Sequence, residues 1–163
     1  MVQVMGIKAV IFDLDGVLTN TSEYHYRAWK RLADELGIPF DRQRNEALRG
    51  VSRRRSLELL LAGRPATEEQ MEEWMARKNR YYVAFIKKMT PADILPGALE
   101  LLQELRQAGI KVGIGSASKN TRIVLDRLHL WEYVDAVSDG YSVSNPKPAP
   151  DLFLPVSYTH LTL

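Results

Sequence analysis

The chain has 163 residues, of which 45% are apolar, a length that suits one domain or one domain with a small insertion and a composition that argues against disorder. Its 22 basic and 20 acidic residues leave a formal net charge of +2, too mild to imply nucleic acid or a membrane surface as partner. The absence of cysteine excludes disulfides and thiolate chemistry. In chain order, the first predicted element is a short apolar, β-branched run over residues 7–12 that ends in Asp13-Leu14-Asp15-Gly16, a buried strand followed by a tight turn. Asn20 with Glu23 three residues on predicts a capping box. His25, Trp29, Leu32 and Leu36 then recur at helical spacing until Gly37 closes the helix. Ser52 predicts the cap of a second helix through Leu61. Thr67 with Gln70 predicts another capping box, opening a long helix with Met71, Met75, Tyr82, Phe85 and Met89 on one face.

Near Asp93 the pattern changes. Pro96-Gly97 opens a helix with Leu99, Leu102 and Leu105 inward, stopped by Gly109, and Ile110, Val112 and Ile114 alternate as a strand. Residues 116–120 form a polar turn, Ile123, Val124 and Leu128 mark another helix, and residues 134–137 predict a third strand. This β-α-β-α-β rhythm implies an α/β fold with a parallel sheet and right-handed crossovers. The expected organisation is an α/β core of residues 1–19 and 93–154 interrupted by a helical insertion of residues 20–92. No apolar run approaches the roughly 20 residues needed to span a bilayer, and the run at residues 9–12 is too short for a signal-peptide core. A cytoplasmic location is therefore expected; a monomer is expected as well.

The chemistry gathers at the ends of strands. Asp13 and Asp15 follow a buried strand, and the carboxyl ends of strands in open α/β sheets are where ligands bind. Two close carboxylates repel unless a cation or a shared proton relieves them; the alternative is a solvated Asp-Gly turn. Ser116, after the next strand, joins a hydroxyl to backbone amides before a helix, an arrangement suited to an oxyanion, although Ser116 or Ser118 could serve only as a cap. Lys147 stands in a Pro-rich loop where a lone lysine is ordinarily solvated. In the insertion, Arg53, Arg54 and Arg55 follow Ser52 at a helix N-terminus, where cations oppose the macrodipole unless an anion docks there. Lys78 falls in phase with an apolar stripe and must either snorkel to water or meet an anion.

The run Asp13-Leu14-Asp15-Gly16-Val17-Leu18-Thr19 resembles the first motif of the haloacid dehalogenase superfamily. Ser116 stands where that superfamily has its second motif, and Lys147-Pro148-Ala149-Pro150-Asp151 matches the third apart from Pro146, where a small residue is usual. The resemblance implies a Rossmannoid parallel-sheet core with an inserted helical cap. It makes Asp13 the nucleophile that forms an aspartyl-phosphate and Asp15 the general acid and base. It also implies Mg²⁺ held by Asp13 and the Asp15 carbonyl, with Ser116 and Lys147 on the transferring phosphoryl group. The segments Thr19-Asn20-Thr21-Ser22-Glu23-Tyr24-His25, Leu48-Arg49-Gly50-Val51-Ser52-Arg53, Arg77-Lys78-Asn79 and Ser116-Ala117-Ser118-Lys119-Asn120 are similar to the β-phosphoglucomutase family. That likeness implies interconversion of β-glucose 1-phosphate and glucose 6-phosphate through a bisphosphate. Arg53, Ser118 and Asn120, helped by Lys78, would hold the phosphate that is not transferred. Thr21 and His25 would support Asp15 and cap closure, and Trp29, Gly50, Val51, Ser52 and Ala117 would complete the phosphosugar site.

Residues 155–163 depart from the family, which continues there as a helix and then a strand ending in an acidic pair. Pro155 would interrupt a helix starting at Asp151, the only carboxylate side chain after Lys147. The chain thus reads as C-terminally truncated, short of one Mg²⁺ ligand, and is expected to be nearly inactive and poorly stable. The competing expectations are a sugar-phosphate hydrolase of the same superfamily and a non-catalytic remnant.

Overall fold

The computed structural model describes residues 6–142 and 150–154. Among these, the chain divides into two compact units: the residues up to Asn20 together with those from Met89 onward, and Thr21–Lys88. Lys147 and residues 155–163 lie outside the described residues.

The first unit is α/β. Its sheet contains, among the described residues, β1 (Ala9–Phe12), β2 (Lys111–Gly115) and β3 (Ala136–Ser138), in that spatial order and all parallel. Phe12 pairs with Ile114 and Gly115 with Ser138, so the three strands end at neighbouring levels. The alternation expected from Ile110, Val112 and Ile114 gives way to continuous burial from Val112 to Gly115. A central parallel strand is covered on both faces, and period-two patterning is then lost. The third strand lies later than residues 134–137, because Asp135 caps the amino end of the sheet instead, its carboxylate accepting from Val112 N–H at 2.8 Å. Helices α5 (Ala98–Gln107) and α6 (Thr121–Arg127) connect the strands, and Leu102, Ile114, Leu125, Leu128 and Leu130 are fully buried among them. Where the chain leaves and re-enters this unit, the Thr19 hydroxyl donates to Asp93 O at 2.7 Å and Leu95 N–H to Leu18 O at 2.9 Å.

The second unit is helical, with α1 (Ser22–Glu35), α2 (Arg42–Glu46), α3 (Arg53–Leu61) and α4 (Glu68–Ile86). The cap of α1 lies at Thr21, one residue later than the Asn20–Glu23 pattern expects, and Thr21 makes no side-chain capping bond. Ser52 caps α3 by accepting from Arg55 N–H, and both bonds of the Thr67–Gln70 box are present on α4. Helix α4 stops at Ile86, so Met89 does not continue its apolar face but is buried in the other unit. The short α2, which no apolar period announces, is set by Asp41 accepting from Arg44 N–H at 2.8 Å. Trp29, Leu32, Phe40, Leu57, Leu60 and Met71 form the core of this unit. Tyr81 of α4 donates to Glu35 of α1 at 2.7 Å, and Arg77 pairs with the same carboxylate, closing the α1–α4 contact at its rim.

Candidate active site

The strand ends carry the polar groups of the α/β unit. β1 stops at Phe12, which leaves Asp13 as the first residue beyond it, its carboxylate accepting from Leu14 N–H at 2.7 Å. Leu14 is fully buried and the chain bends there, so the strand has ended before Asp15. Asp15 lies in a turn closed by Gly16 N–H donating to Thr19 O at 2.7 Å. Gly16 takes φ 80° in this turn, a left-handed conformation that a side chain would strain. Asp13 and Asp15 offer oxygen alone, the donor type a hard cation such as Mg²⁺ takes. Among the described residues no third carboxylate or histidine joins them in a metal-binding cluster.

Ser116 follows β2 and is buried, its N–H donating to Ser138 O at 3.0 Å. Its hydroxyl accepts from Ser118 N–H at 3.2 Å, and the Ser118 hydroxyl accepts in turn from Asn120 N–H at 3.1 Å. Two successive hydroxyl-stabilised turns thus shape the loop of Ser116, Ala117, Ser118 and Lys119. Asn120, not either serine, stands at the cap position of α6, and it is buried while Ala117 is exposed. Phe153 packs on Gly115, where an added Cβ would come 2.8 Å from its ring. The residues following the Lys-Pro run are thereby brought to the carboxyl end of β2. A shallow pocket of about 310 Å³ lies elsewhere, at the amino end of β2, lined by Arg106, Lys111, Tyr133 and Asp135.

Sequence reasoning passed over Asp139. The later position of β3 makes it the first residue beyond that strand, the counterpart of Asp13 and Ser116 on their own strands, and it is 3% exposed. The signal was the β-branched stretch ending in Asp139-Gly140, which the strand prediction closed too early.

The helical unit assembles a separate cationic cluster. Lys78 of α4 is 3% exposed and does not snorkel to water. Its ammonium lies 2.8 Å from His25 Nδ1 and over the rings of Trp29 and Tyr82, at 4.9 and 5.0 Å from their centroids. His25 stacks on Tyr82 at 4.0 Å. Burial first, and then the charges of Lys78 and Arg53, push the imidazole well below its ordinary range. An ammonium only donates, so a neutral His25 accepts at Nδ1 and carries its proton on Nε2. Arg53, half-buried at the start of α3, donates to Asn79 Oδ1 at 2.9 Å. Arg54 pairs with Glu68 and Glu58, and Arg55 with Glu58, on the surface. Of the remaining predicted residues, Thr21 is fully buried, Trp29 belongs to the helical core, and Gly50 takes φ 72° before exposed Val51 and Ser52.

Residues 7–156 match the haloacid dehalogenase-like hydrolase family. The chain belongs to that family. It is 47% identical over 152 residues to the β-phosphoglucomutase of Bacillus subtilis strain 168, a match covering 91% of this chain and 67% of that protein. A phosphorylated carbohydrates phosphatase of Thermotoga maritima is 29% identical over 154 residues, with 91% and 68% covered. Among solved structures, β-phosphoglucomutase from Clostridium difficile superposes with a TM-score of 0.85 at 42% identity, over 93% of this chain and 70% of that one. The likeness spans the α/β core and the helical insertion alike, and family membership makes the protein an enzyme.

Proposed function

We propose that the protein is a sugar-phosphate phosphotransferase that isomerises β-glucose 1-phosphate and glucose 6-phosphate through a bisphosphate. Asp13 attacks phosphorus: an Asp13 Oδ–P bond forms as the P–O bond to the sugar breaks, and Asp15 supplies the proton that the departing sugar oxygen takes up. In the return step the other sugar hydroxyl attacks the aspartyl-phosphate and gives its proton to Asp15. Ser116 and Lys147 hold the transferring group, and Ser118 and Asn120 belong to the same phosphate-binding loop. Mg²⁺, held by the Asp13 carboxylate and the Asp15 carbonyl, would offset phosphoryl charge when bound.

The observation that carries the mutase over a plain phosphatase is the second cationic centre, Lys78 and Arg53 on the helical unit. Lys78, 3% exposed, keeps its ammonium 2.8 Å from His25 Nδ1, and Arg53 stands on the same unit. A mutase must grip a second phosphate while the first reacts, and a phosphatase need not. The test is product analysis from β-glucose 1-phosphate with Mg²⁺ and a trace of β-glucose 1,6-bisphosphate. Glucose 6-phosphate in excess of glucose and inorganic phosphate is expected; glucose and phosphate alone would assign a phosphatase.

A further inference from the structure

Among the described residues, Asp139 is the one buried carboxylate of the α/β unit that this chemistry does not use. We propose that it is a positioning residue, acting through Gly140 to hold the loop of Ser116, Ala117, Ser118 and Lys119 in its phosphate-binding shape. The inference rests on the reading of that loop as the phosphate site.

A carboxyl group 3% exposed is costly to bury unless it is hydrogen-bonded, and this one is. Its Oδ1 accepts from Tyr141 N–H at 3.0 Å and from the Ser142 hydroxyl at 3.1 Å, and its Oδ2 accepts from Arg122 Nε of α6 at 3.2 Å. Its own N–H donates to Ser142 Oγ at 3.1 Å, and Ser142 N–H returns to Asp139 O at 2.9 Å. One side chain therefore closes the turn at residues 139–142 and ties it to α6.

That turn is the surface on which the serine loop is seated. Gly140 N–H donates to Ser118 O at 3.1 Å, and Thr121 Oγ1 donates to the same carbonyl at 2.9 Å. With Ser116 N–H on Ser138 O, the loop is fastened on both sides of Ala117. The approach is close enough to need glycine on steric grounds alone. A Cβ at residue 140 would lie 2.5 Å from Ala117 O and 3.0 Å from Lys119 N. A negative charge here repels a bound phosphate and can only weaken its binding. The bonds, not the charge, are what the loop needs from Asp139.

This separates two variants. D139A removes the turn's acceptors, whereas D139N keeps an oxygen for Tyr141 N–H and Ser142 and loses the charge and the bond from Arg122. Inorganic phosphate is titrated against the intact protein and followed at the amide signals of Ser116 and Ser118. D139A is expected to bind at least about tenfold more weakly, the scale of a charged hydrogen bond, with D139N within about threefold of the unaltered protein. L102A, a cavity in α5 away from the loop, lowers stability and leaves phosphate affinity unchanged, which a merely structural role for Asp139 would also do. Equal affinity of folded D139A and the unaltered protein, or a loss in D139N as large as in D139A, overturns the inference alone. If D139A does not fold, S142A takes its place: weaker binding supports the inference and unchanged binding overturns it. Absence of any phosphate shift at Ser116 and Ser118 in the unaltered protein removes the loop's reading and this inference together.

Discussion

At the scale of single residues, what distinguishes the reactive groups is their surroundings rather than their type. Asp13 begins where a strand stops, and its carboxylate already accepts from the next backbone amide, which orients it before any substrate binds. In a chain carried on to the full length of its relatives, Asp13→Asn is expected to abolish phosphoenzyme formation, because an amide is a poor nucleophile; trapping the acyl-phosphate with hydroxylamine measures it. Asp15→Asn should slow turnover by about 10²–10⁴-fold, the usual contribution of general acid–base catalysis. Of three adjacent arginines, Arg54 and Arg55 are held in surface ion pairs while Arg53 turns to Asn79. Arg53→Ala should therefore weaken β-glucose 1,6-bisphosphate binding by roughly tenfold or more, the cost of a charged hydrogen bond, and leave acetyl phosphate hydrolysis nearly unchanged. Equal losses on both substrates would make Arg53 a structural residue.

At the scale of elements, the helical unit is held by its ends as well as its core. Helix α4 has a complete capping box at Thr67, so Thr67→Ala should cost about 0.5–2 kcal/mol, read from the denaturation midpoint. Helix α3 ends less favourably, because Ala62 takes φ 50° at its C-cap. A left-handed non-glycine residue costs roughly 1–2 kcal/mol. Glycine there relieves that strain but enlarges the entropy of the unfolded chain by about 0.4–1 kcal/mol. Ala62→Gly is thus expected to raise the melting temperature slightly, and a fall would show that the strain is absent. The cap at Thr67 was signalled locally in sequence by Gln70. The later start of α1 follows a non-local contact: Thr19, just before it, bonds Asp93 across a long sequence interval.

At the scale of the whole molecule, stability should depend on pH through His25. Its folded pKa is depressed well below 6.5, so between those values the unfolded chain binds a proton that the folded chain does not. Stability then rises with pH across that interval. The contribution is fully present above the unfolded value and is lost progressively as pH falls below 6.5. The lowered carboxylates Glu23, Glu35 and Glu68 lose their contribution only below 4.5, so the two windows are separable. Thermal melts at intervals from pH 8 to pH 5 should show a falling midpoint that His25→Gln flattens; an unchanged slope in that variant would place the titration elsewhere.

The sequence by itself determined the α/β class, the helical insertion, the strand-end positions of Asp13 and Ser116, and the caps at Ser52 and Thr67. These follow from local period and from side-chain-to-backbone bonds within a few residues, which the chain order states directly. Only the tertiary structure decided that β2 is buried on both faces, that β3 begins at Ala136, and that Lys78 lies beside His25 rather than in water. It also decided that Asp139 is buried beneath a turn, since Arg122 and the serine loop reach that turn from another helix and another strand end. Burial and pairing between segments far apart in sequence depend on how the layers stack, and no periodicity within one segment encodes which neighbour will cover it.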